Sequence, residues 1–393
     1  MDFDVLIVGG GLVGASLACA LRDLRVAIVD SALSAPAPEV SGFDARTAMF
    51  DARIYALSPG NAEFLRSVGV WGEIPEQALT PVRGMQVWGD DGESKIGFDA
   101  WDSGVAELAW IVEDRVLQAA MRAALDVRGN VERFSPARCA ELQVEPGSAQ
   151  VVLEAGKRLR ARLVVGADGA GSFVRAQAGI RTREHPYGQS AVVANFACAR
   201  GHGGIARQWF QRGPVLALLP LPGNHVSMVW STREADAARL AGLDAASLCA
   251  DVENACGAAL GKLTCVTPAR SFPLRRLDAE KSVLHRVALV GDAAHVLHPL
   301  AGQGANLGFQ DAKALATTLA AREPGRDPGD HALLRRYERS RAEAILAMGA
   351  TVHGLLRLFE HDGPSMGRMR NTGLKLVDRM AVVKNLLIRQ AMK

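Results

Sequence analysis

The sequence predicts an α/β protein. A Rossmann-like dinucleotide-binding domain with a parallel sheet is interleaved along the chain with a β-sheet substrate domain, and a C-terminal helical segment follows. Three observations predict this. A strand, a glycine turn and a helix follow one another at the N-terminus, and two more apolar strands, far along the chain, each break into an Asp-containing turn. Between these stretches lie runs that alternate as half-buried strands do, at 84–88, 191–195, 215–219 and 226–230.

Val5-Leu6-Ile7-Val8 is a continuous aliphatic run, as expected of a central parallel strand buried on both faces. Gly9-Gly10-Gly11-Leu12-Val13-Gly14 follows at once, and Ala15 to Leu21 reads as a helix. In this fingerprint Gly9 permits the tight turn, Gly11 lets a pyrophosphate approach the backbone, and Gly14 lets helix and strand pack closely. Free N–H groups and the helix dipole then favour the phosphates. Val26-Ala27-Ile28-Val29-Asp30 is the second strand, and its terminal carboxylate is placed to accept ribose hydroxyls. This unit alone does not separate FAD from NAD.

The run from Arg162 through Val165 and Gly166 is a second buried strand, breaking at Asp168-Gly169. Ser172 and Arg175 stand three apart, so on a following helix they share a face. Val287-Ala288-Leu289-Val290 is a third strand ending in Gly291-Asp292-Ala293-Ala294-His295. Asp292 is positioned for a polyol chain. The glycine-rich run from Gly302 to Gly308 leads to a helix expected from about Phe309, and offers N–H groups to the pyrimidine edge of a flavin.

Composition narrows the function. The 393 residues suffice for two domains, and the apolar share of 49% and charged share of 22% are those of a globular protein. A net charge of +3 gives no reason to expect nucleic acid as a partner. Cys19, Cys139, Cys198, Cys249, Cys256 and Cys265 include no Cys-x-x-Cys pair and read as buried reduced thiols. His295 and His298 lack a third ligand, so no metal is expected. Acidic Met1 to Asp4 leads straight into a strand, unlike a signal peptide. No apolar run approaches the ~18 residues of a membrane span. A cytoplasmic protein is expected.

Together these motifs closely resemble the flavoprotein monooxygenases typified by para-hydroxybenzoate hydroxylase, and among them the ubiquinone-biosynthesis hydroxylases. The resemblance rests on Gly9 to Gly14, on D-G-x-x-S-x-x-R at Asp168 to Arg175, and on G-D-A-A-H at Gly291 to His295 with its extension H-P-L-A-G-Q-G-A-N-L-G. Asp51 to Ser58 and Gly213 to Leu221 add to it, so it spans essentially the whole chain. One departure is Ala206-Arg207-Gln208-Trp209-Phe210, where many relatives carry an acid.

The resemblance implies FAD as cofactor, molecular oxygen as co-substrate, and NAD(P)H or another electron donor as a transient reductant. Gly9, Gly11 and Gly14 would flank the pyrophosphate, Asp30 the adenosine ribose and Asp292 the ribityl chain. Arg53 and Arg115 would contact the cofactor, and Asp168 would support the pyrophosphate and pyridine-nucleotide region. Gly302 to Leu307, including Gly304, Ala305 and Asn306, would lie beside the isoalloxazine, with Pro299, Gly302, Gln303 and Gly304 next to the reacting ring. A flavin C4a-hydroperoxide would hydroxylate a polyprenylated phenol or quinol, so no protein acid or base is obligate. The implied FAD-binding domain comprises 1–76, 108–182 and 276–340. The substrate domain comprises 77–107 and 183–275, and the C-terminal helices 341–393.

Two alternatives stand beside this reading. One is another flavoprotein of the same class: a small-aromatic hydroxylase, an epoxidase or a prenyl reductase. A halogenase would carry G-W-x-W-x-I-P, which neither Trp110-Ile111-Val112 nor Trp230-Ser231-Thr232 supplies. The other is a flavin-binding scaffold within a biosynthetic assembly. The segment 363–393 carries Arg368, Arg370, Lys375, Arg379, Lys384, Arg389 and Lys393 against Asp378 alone. It reads either as a docked helix with a solvated basic face or as a peripheral contact with the inner membrane surface or a protein assembly.

Overall fold

The computed structural model describes residues 1–31, 50–91, 93–211, 213–298 and 303–360. The expectations for Pro299 and Gly302, for the side chain of Gln303 and for the basic segment 363–393 lie outside the described residues.

The strand Phe3–Val8 runs through the middle of the first sheet. It pairs in parallel with Val26–Val29 on one side and with Arg158–Gly166 on the other. Val131–Phe134 and Val287–Leu289 extend the parallel order outward. Alternation along the strand gives the two faces different tasks. Val5 and Ile7 pack with Leu17, Leu117, Phe309 and Leu315 beneath the helices Leu12–Ala20, Asp114–Asp126 and Gln303–Ala320. Leu6 and Val8 face an antiparallel flap, where Leu142 and Val151 cover them.

Two helices begin earlier than the sequence suggested. The first starts at Leu12, inside the glycine fingerprint, so that its open N-terminus faces the turn. The other starts at Gln303 rather than near Phe309. No proline interrupts residues 303–308, and Gly308 is needed inside this helix: a Cβ there would lie 2.5 Å from Val13 Cγ2. Close packing thus outweighs the low helix propensity of glycine.

The second sheet is mainly antiparallel. Its path runs from Arg270–Ala279 through Thr182–Cys198, His225–Arg233 and Val215–Leu221 to Ile205–Phe210. The last of these pairs in parallel with Gly84–Trp88, which pairs in turn with Lys95–Asp99. The strands expected at 84–88, 191–195, 215–219 and 226–230 all fall within it. Two helices, Glu234–Ala241 and Ala245–Ala255, add to those strands and cover Phe196, Leu216 and Met228 on the outer face. Asp244 caps the second helix through the N–H groups of Ala246 and Ser247.

The chain crosses between the sheets at two places that matter for the site. Arg158–Gly166 leaves the parallel sheet, turns at Asp168 and re-enters the other sheet as Thr182–Cys198. Val287–Leu289 leaves it and, six residues later, His295–Val296 joins the edge of the second sheet against Leu277 and Asp278. The Arg270–Ala279 strand and the His331–Glu360 helix run across the divisions at 275 and 340 that the sequence suggested. All six thiols are free, but Cys139 and Cys265 are only half-buried, which corrects the expectation that all would be interior. Among the described residues no helix is long and apolar enough to cross a membrane.

Candidate active site

The three glycines of the fingerprint have different reasons. Gly9 has a φ of +102°, and a Cβ on it would lie 2.3 Å from the Ala167 carbonyl oxygen. A Cβ on Gly14 would lie 1.9 Å from the Gly9 carbonyl oxygen. Gly11 is exposed and a Cβ there would meet nothing within 4 Å. As N-cap of Leu12–Ala20 it offers no side-chain acceptor to the first N–H groups of that helix. Asp30 stands at the end of Val26–Val29, where its carboxylate accepts the Gly10 N–H.

Asp168 holds the second turn together. Its carboxylate accepts the Ser172 hydroxyl at 2.6 Å and the Val174 N–H at 3.1 Å. Ser172 caps the short helix Phe173–Gln177 by accepting the Arg175 N–H, so it sits at the helix start and not on a helical face with Arg175. The buried Arg175 guanidinium donates to the Ala170 and Ala293 carbonyls at 2.6 and 2.9 Å, tying the second stretch to the third. Val13 completes the assembly, since a Cβ on Gly291 or on Gly308 would lie 3.2 or 2.5 Å from its Cγ2.

Asp292 lies at the crossing between sheets, in the turn Gly291–Ala293. It reaches solvent, yet the protein crowded around it pushes its carboxyl above the ordinary range, while His295 and Arg53 pull the other way. Tyr55 shares this neighbourhood: burial, then Asp114, hold its phenol well above the usual value, and its hydroxyl donates to Asp114 at 3.0 Å. Arg53 and Arg115 meet through Asp51, whose carboxylate accepts both backbone N–H groups. The Arg115 side chain pairs with buried Glu113 at 3.0 Å.

Beneath the Asp292 turn is a buried charged group that sequence reasoning missed. Asp311 accepts the Gly291 N–H at 2.9 Å, His295 Nε2–H at 2.7 Å and Arg341 Nε–H at 2.7 Å. Burial opposes the charge on Asp311, but His295 and Arg341 overcome it and hold its carboxyl below the ordinary range. Burial likewise opposes protonation of His295, and Asp311 outweighs it, so the imidazole is held above its usual value. A signal existed: Leu307, Asp311 and Leu315 follow at helical spacing, which puts an acid on an apolar face.

At the start of Gln303–Ala320, Gly304 is exposed, Ala305 half-buried and Leu307 buried. The Asn306 side chain is already spent within the protein: its amide donates to Ala56 O, and its oxygen accepts from Ser58 N and Asn61 Nδ2. Asn306 therefore fixes the helix start rather than offering its side chain to a ligand. Farther out, a cavity of about 330 Å³ is bordered by Met85 and Phe98 together with Arg83, Gln86, Asp99 and Asp102. Met85 and Phe98 belong to an apolar cluster that includes Tyr187 and Met348.

Comparison with known proteins agrees with this geometry. A family model described as an FAD binding domain matches residues 2–350. The chain is 38% identical over 390 residues to a ubiquinone hydroxylase of Rhodospirillum rubrum, covering 99% of this chain and 89% of that one. It is 34% identical over 391 residues to a 3-demethoxyubiquinol 3-hydroxylase of Escherichia coli, covering 99% and 97%. A solved structure of a probable FAD-dependent monooxygenase from Pseudomonas aeruginosa matches with a TM-score of 0.77 at 26% identity, covering 95% and 99%.

Proposed function

This chain belongs to the FAD-binding-domain family and, within it, to the ubiquinone-biosynthesis hydroxylases, and we propose that it hydroxylates the aromatic ring of a polyprenylated phenol or quinol on the way to ubiquinone. The observation that carries this reading is the near-full-length likeness to two enzymes whose names specify ubiquinone-type substrates.

The residues present fit FAD. Open space over Gly11 and a helix N-terminus without a side-chain cap suit a pyrophosphate, and the exposed Asp292 carboxylate at the crossing between the sheets suits a ribityl chain. In this reading Gly9 and Gly14 shape the turn and Gly11 admits the pyrophosphate. Asp30 binds the adenosine ribose and Asp292 the ribityl hydroxyls. Arg53 and Arg115 contact the cofactor from the Asp51 side, and Asp168 keeps the second turn in place beside Gly9. Backbone N–H groups at the start of the helix, at Gly304, Ala305, Asn306 and Leu307, face the isoalloxazine. FAD, once bound and reduced, supplies the activation of molecular oxygen. The protein orients the aromatic ring, keeps water from the seam between the sheets and anchors the cofactor. The chain has a single dinucleotide fingerprint, so NAD(P)H or another donor reduces the flavin by transient contact.

The substrate tail bears on where the reaction takes place. An isoprenoid of about 40 carbons at ~0.8 kcal/mol per carbon costs roughly 30 kcal/mol to bring into water. Peripheral membrane contact through the basic residues of 363–393, or transfer within a biosynthetic assembly, meets that cost. Mass spectrometry of quinone intermediates in cells lacking the protein tests the reading. A prenylated precursor one hydroxyl short of the next intermediate is expected to accumulate, and an unchanged profile with normal ubiquinone would overturn it.

A further inference from the structure

His298 is buried at the seam between the two sheets, and the proposed function leaves it without a role. Its Nε2 lies 3.2 Å from Gln189 Oε1. An amide oxygen only accepts, so a ring proton on Nε2 satisfies this contact and leaves Nδ1 as an acceptor. Nδ1 is buried and has no hydrogen-bond partner among the described residues. A buried acceptor left unmatched is unfavourable, and a donor brought by a ligand would satisfy it.

The neighbouring strand is shaped to hold this ring. Thr182–Cys198 pairs with Arg270–Ala279 in regular register except between Pro186 and Gln189, where Tyr187 and Gly188 form a bulge. Gly188 takes a φ of +64°, and bulges re-aim side chains beside functional sites. The result is that Tyr187 meets the His298 ring edge-on, with centroids 5.0 Å apart, while Gln189 bonds to its far side. The same strand also leads toward Arg53, one of the residues expected to contact the cofactor. Gln189 is two residues along the strand from Ala191, which pairs with Phe272, and Arg53 lies 5.8 Å over the Phe272 ring. Burial drives the imidazole to about 4, so it stays neutral and able to accept at physiological pH.

We propose that His298 Nδ1 accepts a hydrogen bond from a hydroxyl on the aromatic ring of the substrate, and so selects rings that carry a free hydroxyl. The inference rests on the hydroxylase reading above and names the residue that recognises the phenol. An O–H shared with a neutral acceptor leaves more electron density on the phenol oxygen, which raises the nucleophilicity of the ring carbons ortho and para to it. The edge-on Tyr187 limits how the imidazole can turn.

The test uses FAD-loaded protein and two probes: a phenol with a two-isoprene tail ortho to its hydroxyl, and the same molecule with hydrogen in place of the hydroxyl. Dissociation constants are read from perturbation of the flavin spectrum. The wild type is expected to bind the phenol about tenfold more tightly than the hydrocarbon. His298→Leu should bind both probes alike with FAD content unchanged, and His298→Asn, which restores an acceptor, should recover part of the preference. Gln189→Leu frees the proton to either nitrogen and should reduce the preference, which keeps the inference testable if His298→Leu does not fold. Wild type that does not discriminate between the probes, or His298→Leu that still does, overturns the inference and leaves His298 with water or a structural role. Wild type that binds neither probe overturns the hydroxylase reading itself.

Discussion

A methyl group on Gly14 would meet a backbone oxygen at 1.9 Å, whereas one on Gly11 would meet nothing within 4 Å. The two positions look equivalent in the fingerprint, yet only the first is demanded by the fold. Gly14→Ala is therefore expected to unfold the domain, because no rotatable side chain can give way. Gly11→Ala should cost the FAD-free protein no more than about 1 kcal/mol. It should nevertheless weaken FAD binding at least tenfold, since the methyl group fills the space a pyrophosphate needs. Thermal melts of the FAD-free variants and a fluorescence titration with FAD check both halves. Undiminished affinity in Gly11→Ala would move the pyrophosphate elsewhere. At this scale the tight turn at Gly9, the close packing at Gly14 and the turn that carries Asp292 were legible in the sequence because they are local. Asn306 was legible only as a position, since the partners that use up its side chain lie about 250 residues away at Ala56 and Ser58.

Asp311 joins elements that the sequence keeps apart: the Gln303–Ala320 helix, the Asp292 turn and, through Arg341, the His331–Glu360 helix. Its carboxyl is held low, so its contribution is in place above about pH 4 and is lost as pH falls through the folded value. His295 is held high, so its contribution is in place below about pH 6.5 and is lost as pH rises through its folded value. Asp311→Asn leaves two buried cations short of a partner and should destabilise the protein by roughly 3–5 kcal/mol near pH 5–6. Urea melts across pH should show that gap closing toward acid, where Asp311 of the wild type is protonated. A constant gap from pH 3 to 6 would mean that the charge on Asp311 is not what matters. Strands were legible because apolar runs and alternation report burial directly. The helix start at Gln303 was not, because the contact with Val13 that favours it is tertiary. Nor was the membership of His295–Val296 in the second sheet, since so short a strand carries no period.

At the scale of the whole molecule, three stretches separated by more than a hundred residues converge on one seam, with Arg175 and Val13 as the side chains that join them. Their order and spacing in the chain made the cofactor fold legible. The second sheet was legible as strands but not as a path, because the parallel pairing of Ile205–Phe210 with Gly84–Trp88 spans two separate segments. The central claim is that the seam delivers oxygen from O₂ to a prenylated aromatic ring. Incubation of FAD-loaded protein with a reductant and a short-tailed prenylated phenol under ¹⁸O₂, followed by mass spectrometry, tests it most directly. The account predicts one heavy oxygen atom in each product molecule. Consumption of reductant and oxygen with no labelled product, or a product whose new oxygen comes from water, would contradict it.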